Sequence, residues 1–225
     1  MAPGGPGASE GSTTADHEAV TVTSAQEWRA WLEANHASSP GIWLTTYKKS
    51  SGGPHVPYES VAEEAVAFGW VDSRPRRLDA ERSQLLLTPR RPRSRWSRAN
   101  RRRAERLLAE GRMAPAGLAA VEAAKADGSW DALEEVEDLV EPDDLRAALD
   151  RDPAARRHWD AFPPSSKRII LEWISAAKRP QTRSRRVDET ARSAAENIRA
   201  NHWRQPKSGR GGPAAAHPPR AGSDA

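Results

Sequence analysis

The sequence predicts an α+β fold, in which a small N-terminal sheet with helices is followed by an α-helical C-terminal half. Two observations lead to this class. Short runs of aromatic and β-branched residues, bounded by Pro or Gly, predict strands up to Pro89. After Pro92 the apolar residues recur at helical spacing, and segments begin at prolines or end at glycines.

The foldable part of the chain is shorter than its 225 residues. Gly, Pro, Ser and Ala dominate both ends, and segments so poor in large apolar side chains cannot offset the entropy lost on ordering. We therefore predict disordered tails at residues 1–19 and 203–225. Residues 20–202 then form one domain, with an α/β half at 20–97 and a helical half at 98–202.

In the α/β half the signal for each element is local. The capping box Ser24-Ala-Gln-Glu27, followed by apolar residues at helical spacing, predicts a first helix. Gly69 stands where a second, short helix would end. The predicted elements are a helix to about His36, a strand at 41–48, a helix at 60–68, and two or three strands at 70–88.

In the helical half, prolines and glycines set most of the boundaries. Pro142 and Pro153 each follow an acidic residue and suit the first turn of a helix. Pro180 is predicted to stop one helix and Thr182 to cap the next. The predicted helices span residues 98–108, 115–126, 142–149, 153–162, 166–178 and 183–198.

Several function classes lack support in the composition. The chain has no cysteine, which excludes disulfides, thiolate metal sites and cysteine nucleophiles. Its six histidines are scattered without a helical i, i+4 pair, so we expect no metal site. No P-loop, G-x-G-x-x-G or G-x-S-x-G motif occurs, and we expect no cofactor.

Charge is distributed unevenly along a chain whose formal net charge is +4. Residues 88–106 and 167–192 are basic, whereas residues 122–152 are acidic. This segregation indicates either a face for an anionic partner or internal pairing of the segments. The start of the chain does not resemble a signal peptide, and no apolar run is long enough to span a bilayer, so we predict a cytoplasmic protein.

Residues 88–100 are the first candidate binding segment. They contain five arginines, including Arg90 and Arg91, together with Trp96, in a loop that enters a helix. Guanidinium groups bind phosphate or carboxylate with two parallel hydrogen bonds, and a helix N-terminus adds N–H donors. The segment therefore predicts an anion site. The alternative is that these arginines pair with residues 122–152 and stack on tryptophans.

A second basic segment repeats this arrangement near the C-terminal end. Thr182 is predicted to cap a helix whose first turns carry Arg183 and Arg186, and Lys178 comes just before it. Cations at a helix N-terminus oppose the helix dipole, so we expect an anion nearby. That anion is either a bound ligand or a carboxylate of the protein, for which Asp72 is the first candidate.

The tryptophans are predicted to fall into two groups, one in the core and one at the binding site. Trp28, Trp31 and Trp173 lie on apolar helical stripes and are predicted to be core, whereas Trp96 is expected to face a ligand.

The strand predicted to begin near Gly69 places Trp70, Asp72 and Arg74 on one face. A carboxylate between an aromatic ring and an arginine suits a general base. The alternative is an orienting salt bridge.

The order of these motifs is similar to that of a known family. Blocks such as Gly69-Trp-Val-Asp-Ser73, residues 88–97 and Ala177-Lys178 resemble the YdeI/OmpD-associated (bacteriocin-protection) family over about residues 25–194. The resemblance implies a link to survival under antimicrobial peptides and to outer-membrane porins, without a defined biochemical activity. The predicted ligand-binding residues are Lys48, Trp70, Asp72, Arg90, Arg91, Trp96, Lys178, Thr182, Arg183 and Arg186.

The leading hypothesis is a stress-tolerance protein that binds a phosphate-bearing small molecule or nucleic acid through these arginines. The first alternative is an enzyme acting on a phosphorylated or carboxylated small molecule, with Asp72 as acid/base and Lys48 or Lys178 as electrophile. The second is a protein–protein adaptor. For the binding hypothesis we expect Arg90, Arg91, Trp96, Lys178, Arg183 and Arg186 to converge on one concavity near Asp72.

Overall fold

The computed structural model describes residues 17–201, which divide into two compact units between Glu137 and Asp138. An N-terminal four-stranded sheet with helices precedes a helical C-terminal region, which confirms the predicted α+β class. The division between the units lies beyond the expected boundary after residue 97. Apart from the end of the N-terminal tail, the predicted tails lie outside the described residues. The single domain at 20–202 stays a prediction.

The sheet of the N-terminal unit consists of four strands: β1 (Glu18–Thr21), β2 (Ile42–Tyr47), β3 (Trp70–Arg77) and β4 (Arg82–Pro89). The strand order is β1-β2-β4-β3, with β1 parallel to β2 and β4 antiparallel to both of its neighbours. The strand at 41–48 and the hairpin at 70–88 are confirmed. β1 differs from the prediction, because its four residues are too few for a recognisable alternation and it begins inside the predicted tail.

Two helices, α1 (Ala25–Asn35) and α2 (Tyr58–Ala67), connect the first three strands. Ser24 caps α1 as predicted, since its Oγ accepts a hydrogen bond from the backbone N–H of Glu27 at 3.1 Å. The Glu27 carboxylate accepts from the N–H of Thr23 at 2.7 Å, one residue earlier than in a standard capping box. The local signal therefore fixes the start of α1.

The core of the N-terminal unit includes one face of the sheet together with α1 and α2. Ile42 and Leu44 of β2 pair in register with Leu87 and Leu85 of β4. Trp28 of α1 is fully buried in the same core, and its indole N–H donates to a carbonyl oxygen of α2 at 3.1 Å. Cross-strand apolar pairs and one large aromatic ring thus join the sheet to its helices.

The two other tryptophans predicted as core are only half-buried. The Trp31 ring stacks on Trp28 with centroids 5.4 Å apart, at the margin of the core. Trp173 is partly exposed, and the Arg186 guanidinium lies 5.0 Å from the centroid of its ring. Trp31 therefore packs against the core without being buried in it, and Trp173 is less buried than a core residue, because an apolar stripe at i, i+3, i+4 is wider than the face that each helix buries.

Three further helices complete the N-terminal unit: α3 (Arg98–Ala109), α4 (Pro115–Asp127) and the short α5 (Glu134–Glu137). α3 and α4 are confirmed, and α5 is additional. α4 packs closely on α2, because a Cβ atom added at Gly117 would lie 2.1 Å from the carbonyl oxygen of Ala67. Only glycine permits this approach.

The described part of the C-terminal unit contains four helices: α6 (Asp143–Asp150), α7 (Pro153–Ala161), α8 (Pro164–Ser175) and α9 (Pro180–Ala195). α9 packs against the other three. Trp159 is fully buried in α7, and its indole N–H donates to the Glu141 carboxylate at 2.7 Å. Arg156 donates to both oxygens of that carboxylate at 2.8 Å. None of the helices described in the two units is both long and apolar enough to cross a membrane.

The start of α9 differs from the prediction, because Thr182 is not its N-cap. Arg179 occupies the N-cap and Pro180 the first helical position, where the fixed φ and the missing N–H of proline are compatible with a helix. Thr182 therefore lies inside the first turn. α8 already ends at Ser175, so Pro180 begins a helix rather than stopping one.

Candidate functional site

The loop between β4 and α3 lines a small cavity in the N-terminal unit. The cavity has a volume of about 170 Å³, and alanines of α4 supply part of its apolar lining. The polar lining consists of Arg90, Arg91, Arg93, Ser94, Asp127 and Ser129. Three arginines and a single aspartate in the lining make this cavity a candidate anion site.

Arg90 is held on two sides. Its guanidinium carbon lies 3.7 Å from the centroid of the Trp96 ring, and its Nη1 donates to Ser94 Oγ at 3.3 Å. Its Nε and Nη2 atoms are buried and have no hydrogen-bond partner among residues 17–201. A buried donor without a partner costs about 1–3 kcal/mol, so Arg90 is the first candidate for contact with a ligand.

The two unpartnered atoms of Arg90 belong to one edge of the guanidinium group. The same edge binds a carboxylate elsewhere in this protein. Nε and Nη2 of Arg103 donate to the two carboxylate oxygens of Glu59 at 2.9 and 2.6 Å. Nε and Nη2 of Arg183 donate to Asp144 at 2.7 and 2.9 Å. Arg90 therefore has the geometry to bind two oxygens of one anionic group.

The surroundings of Arg90 disfavour its positive charge. Burial lowers the pKa of Arg90 to about 10, and the negative charge of Asp72 opposes this shift. The guanidinium is nevertheless protonated at pH 7. The cavity therefore contains a buried cation that forms no ion pair with a carboxylate in the described part of the chain.

The end of α4 supplies the other polar groups of the cavity. Ser129 is 6% exposed, and its Oγ makes no well-aligned hydrogen bond to any described residue. The hydroxyl is still close enough to Asp127 to be the largest cause of that residue's lowered pKa, followed by the Ser129 N–H, which donates to the carboxylate at 2.9 Å. A group bound in the cavity would therefore compete with Asp127 for this hydroxyl.

A strained turn forms the rim of the cavity. The N–H of Ser94 donates to the carbonyl oxygen of Arg91 at 3.1 Å, which closes a turn with Pro92 second and Arg93 third. Arg93 has a φ of 61°, which costs roughly 1–2 kcal/mol for a residue with a side chain. Its backbone also hydrogen-bonds the Asp127 carboxylate, which helps to hold the turn. Arg91 is exposed and forms no ion pair with other described residues.

Trp96 supports the cavity from within the core. The side chain is 1% exposed, and its ring packs on Trp130 with centroids 5.0 Å apart. The ring therefore holds Arg90 in place. It has no open face on which a base could stack, which differs from the exposed, ligand-facing ring expected from the sequence.

Two other predicted residues of the N-terminal unit are occupied by structural contacts. Lys48 donates from Nζ to two carbonyl oxygens of the β3–β4 turn, at 2.6 and 2.9 Å. Trp70 is 1% exposed, and its indole N–H donates to a carbonyl oxygen just after α1 at 3.3 Å. Neither residue lines the Arg90 cavity.

Asp72 also lies outside the lining of that cavity. It accepts a hydrogen bond from the Tyr58 hydroxyl at 3.0 Å, and burial together with the charge of Asp72 raises the pKa of Tyr58. A register shift between Asp72 and Pro75 interrupts the strand. The pairing is regular from Trp70 to Asp72, so the expected alternation holds for these two residues and is interrupted before Arg74.

The remaining predicted residues belong to the C-terminal unit. The carboxylate beside Arg183 is that of Asp144, which was not among the predicted partners of this arginine. Arg186 donates from Nη1 to the carbonyl oxygen of Trp173. Lys178 is exposed. Convergence of these residues with the Arg90 cavity stays a prediction.

Other arginines of the first basic segment and of α3 pair with acidic side chains. The Arg98 backbone N–H donates to the Glu137 carboxylate at 2.8 Å, and Arg101 pairs with Asp131 at 2.6 Å. These contacts support the alternative that basic and acidic segments pair internally. Arg90 differs from them, because its charged edge has no acidic partner among the described residues.

Asp127 and Ser129 are polar cavity residues that the sequence does not predict. The only signal near them is Gly128, which ends α4 with a φ of 77°. That signal predicts a chain reversal, and nothing in the spacing connects it with Arg90. Within residues 17–201 no group of three or more His, Asp or Glu side chains is placed to hold a metal ion.

Two family models match separate parts of the chain. One, described as "Bacteriocin-protection, YdeI or OmpD-Associated", matches residues 138–197. This match supports the family predicted from the sequence, and the matched residues make up most of the described C-terminal unit.

The N-terminal part of the chain matches a different family model. Residues 20–120 match "Domain of unknown function (DUF8412)". The YdeI/OmpD-associated match is therefore shorter than the expected 25–194, and the Arg90 loop lies before it. No curated protein and no solved structure matches the chain.

Proposed function

We propose that this protein binds a small phosphate-bearing ligand in the Arg90 cavity and acts in tolerance of antimicrobial peptides, as the description of the matched YdeI/OmpD-associated family suggests. The observation that supports binding is the buried Nε and Nη2 edge of Arg90, which lacks a partner within residues 17–201. An unpaired buried charge is strongly unfavourable, and an anion with two oxygens offsets that cost.

The charge of the cavity favours a phosphate group. Three arginines and one aspartate in the lining give a formal charge of +2. A phosphate monoester carries a charge of about −1.5 to −2 at pH 7, which nearly balances it. The Ser129 hydroxyl adds a neutral donor for a third oxygen.

The size of the cavity favours a small molecule over nucleic acid. Its volume of about 170 Å³ is below the roughly 300–1,000 Å³ of drug-sized pockets, so it suits one anionic group with a small remainder. Non-specific binding of single strands uses accessible aromatic rings for stacking, whereas Trp96 is 1% exposed.

The contacts of Asp72 and Lys48 favour binding over catalysis. The Asp72 carboxylate accepts from Tyr58, and two protons of the Lys48 ammonium are directed at carbonyl oxygens. An acid/base and an electrophile would both have to leave these contacts, at least in part, to act on a substrate.

Calorimetric titration tests the binding proposal. Glycerol phosphate is titrated into the wild-type protein, the Arg90→Met variant and the Arg102→Met variant. Arg102 is exposed on α3, so its replacement changes the net charge equally without touching the cavity. We expect saturable binding by the wild type and by Arg102→Met, and none by Arg90→Met.

Two outcomes count against the proposal. Equal affinity of Arg90→Met and the wild type for glycerol phosphate would place binding elsewhere. Tighter binding of a single-stranded oligonucleotide, with a steep dependence on salt, would favour the nucleic-acid alternative. For the cellular role, a deletion strain challenged with an antimicrobial peptide should regain survival with the wild-type gene and not with the Arg90→Met gene.

A further inference from the structure

A second cavity of the N-terminal unit, with a volume of about 190 Å³, is lined by the sheet and by the segment that leads into α2. Cross-strand pairs of β2 and β4 line it: Leu44 is opposite Leu85, and Thr46 is opposite Ser83. None of its lining residues belongs to the Arg90 cavity. It is therefore a separate candidate site.

The lining of this second cavity changes from apolar to polar along β2. Leu44 is buried among apolar neighbours that include Val56 and Val61. Thr46 follows two residues later on the same face, and Lys48 comes after the strand ends. One end of the cavity is thus apolar, and the other carries a hydroxyl and then an ammonium group.

Lys48 is the cation of this cavity, and its position is fixed. Its Nζ donates to the carbonyl oxygens of Asp79 and Ala80 at 2.6 and 2.9 Å, which leaves one of three N–H donors. The Asp79 carboxylate is paired with Arg82 at 2.7 Å. Lys48 itself forms no ion pair with a carboxylate among the residues that the structure describes.

The hydroxyls beside Lys48 are also available. Thr46 and Ser83 are directly opposite each other in the register, and both line the cavity. Neither side chain makes a hydrogen bond to another residue of the described part of the chain. A fixed ammonium and two hydroxyls at the end of an apolar cavity match the hydrogen-bonding needs of one carboxylate.

We propose that this cavity is a second binding site, which takes a small monocarboxylic acid with an apolar body. The carboxylate contacts Lys48, Thr46 and Ser83, and the body packs on Leu44 and Leu85. A single cation balances a monoanion, whereas a doubly charged phosphate would lose more hydration than one ammonium and apolar walls restore. This proposal does not depend on ligand binding at Arg90.

Benzoate and benzyl alcohol are a matched pair of probes, because they share the ring and differ in charge. Titrations followed by NMR should show that the wild type binds benzoate about tenfold or more tightly than benzyl alcohol. Lys48→Met should weaken benzoate about tenfold and leave benzyl alcohol unchanged. Lys49→Met removes the same charge from the exposed neighbouring residue and should change neither affinity.

A second variant keeps the test valid if Lys48→Met does not fold. Ser83→Phe fills the cavity from a partly exposed position and should abolish binding of both probes, while the glycerol phosphate titration stays as in the wild type. Equal wild-type affinity for the two probes, no benzoate binding at all, or benzoate binding that survives Ser83→Phe would each overturn the proposal.

Discussion

Replacing Arg90 by methionine distinguishes a ligand-binding arginine from a structural one. Burial lowers the pKa of Arg90 from the ordinary value of an arginine to about 10. At 1.36 kcal/mol per pKa unit, this lowering corresponds to a cost of about 3 kcal/mol. Because folding lowers the pKa of this cation, the cost to stability is fully present below about pH 10 and is lost as the pH rises above that value. Arg90→Met therefore removes an unfavourable contribution to the stability at pH 7.

The same replacement also removes favourable contacts. The interaction of the cation with Trp96 contributes about 0.5–2 kcal/mol, and the hydrogen bond to Ser94 about 1 kcal/mol. The methionine side chain retains apolar contact with the ring. We therefore expect the free energy of unfolding of the unliganded variant to be unchanged or raised by about 1 kcal/mol.

Urea unfolding at pH 7, followed by tryptophan fluorescence with and without phosphate, measures this balance. Arg103→Met is the structural comparison, because Arg103 is 8% exposed and pairs with Glu59, and it should lose about 1–3 kcal/mol. Phosphate at 100 times its Kd should stabilise the wild type by about 2.7 kcal/mol and Arg90→Met not at all. A loss above about 2 kcal/mol in Arg90→Met, with no effect of phosphate on the wild type, would refute this reasoning.

Three further changes test the packing, the acid stability and the rim of the cavity. Gly117→Ala should lower the free energy of unfolding by about 1–3 kcal/mol, because the new Cβ meets the Ala67 carbonyl oxygen; an unchanged value would mean that α4 shifts freely. Hydrogen bonds from Arg156 are the main cause of the lowered pKa of Glu141. The stabilisation of the folded state by these hydrogen bonds is therefore fully present above pH 4.5, and it is lost as the pH falls through the lowered pKa of Glu141. Glu141→Gln should therefore be less stable than the wild type at pH 7 in urea unfolding, by a deficit that shrinks as the pH falls below 4.5, and a deficit that does not change with pH would contradict the assignment. Arg93→Gly should keep or raise stability by about 1 kcal/mol while weakening phosphate binding, whereas a large loss of stability would show that the positive φ is not strained.

The elements of this fold were predictable where a single residue fixes a helix end. Ser24 starts α1 and Gly128 ends α4, and both signals lie within one turn of the helix they delimit. Thr182 fails as a cap because Pro180 satisfies the first helical position two residues earlier. A polar residue near a helix start is therefore a weaker signal for the helix boundary than a proline that can occupy the first helical position.

Only the part of the candidate site that belongs to the loop between β4 and α3 was predictable from the sequence. Arg90 and Trp96 stand out from the sequence because cations and aromatic residues are dense in their loop. That the ring is buried under the guanidinium, and that Ser129 completes the lining, depends on packing of the loop beside α4. Contacts between residues so far apart in the chain leave no periodic signal.

The binding of an anion to Arg90 can be observed at the atoms that carry the proposal. Two-dimensional ¹⁵N–¹H NMR of the arginine side chains resolves Nε–Hε groups that are shielded from solvent, and the Arg90 signal is assigned by its absence from the Arg90→Met spectrum. Addition of glycerol phosphate at pH 7 should shift the Arg90 Nε–Hε signal saturably and leave that of Arg103, already bound to Glu59, unchanged. An Arg90 signal that stays in place at saturating glycerol phosphate would contradict the assignment of this cavity as the anion site.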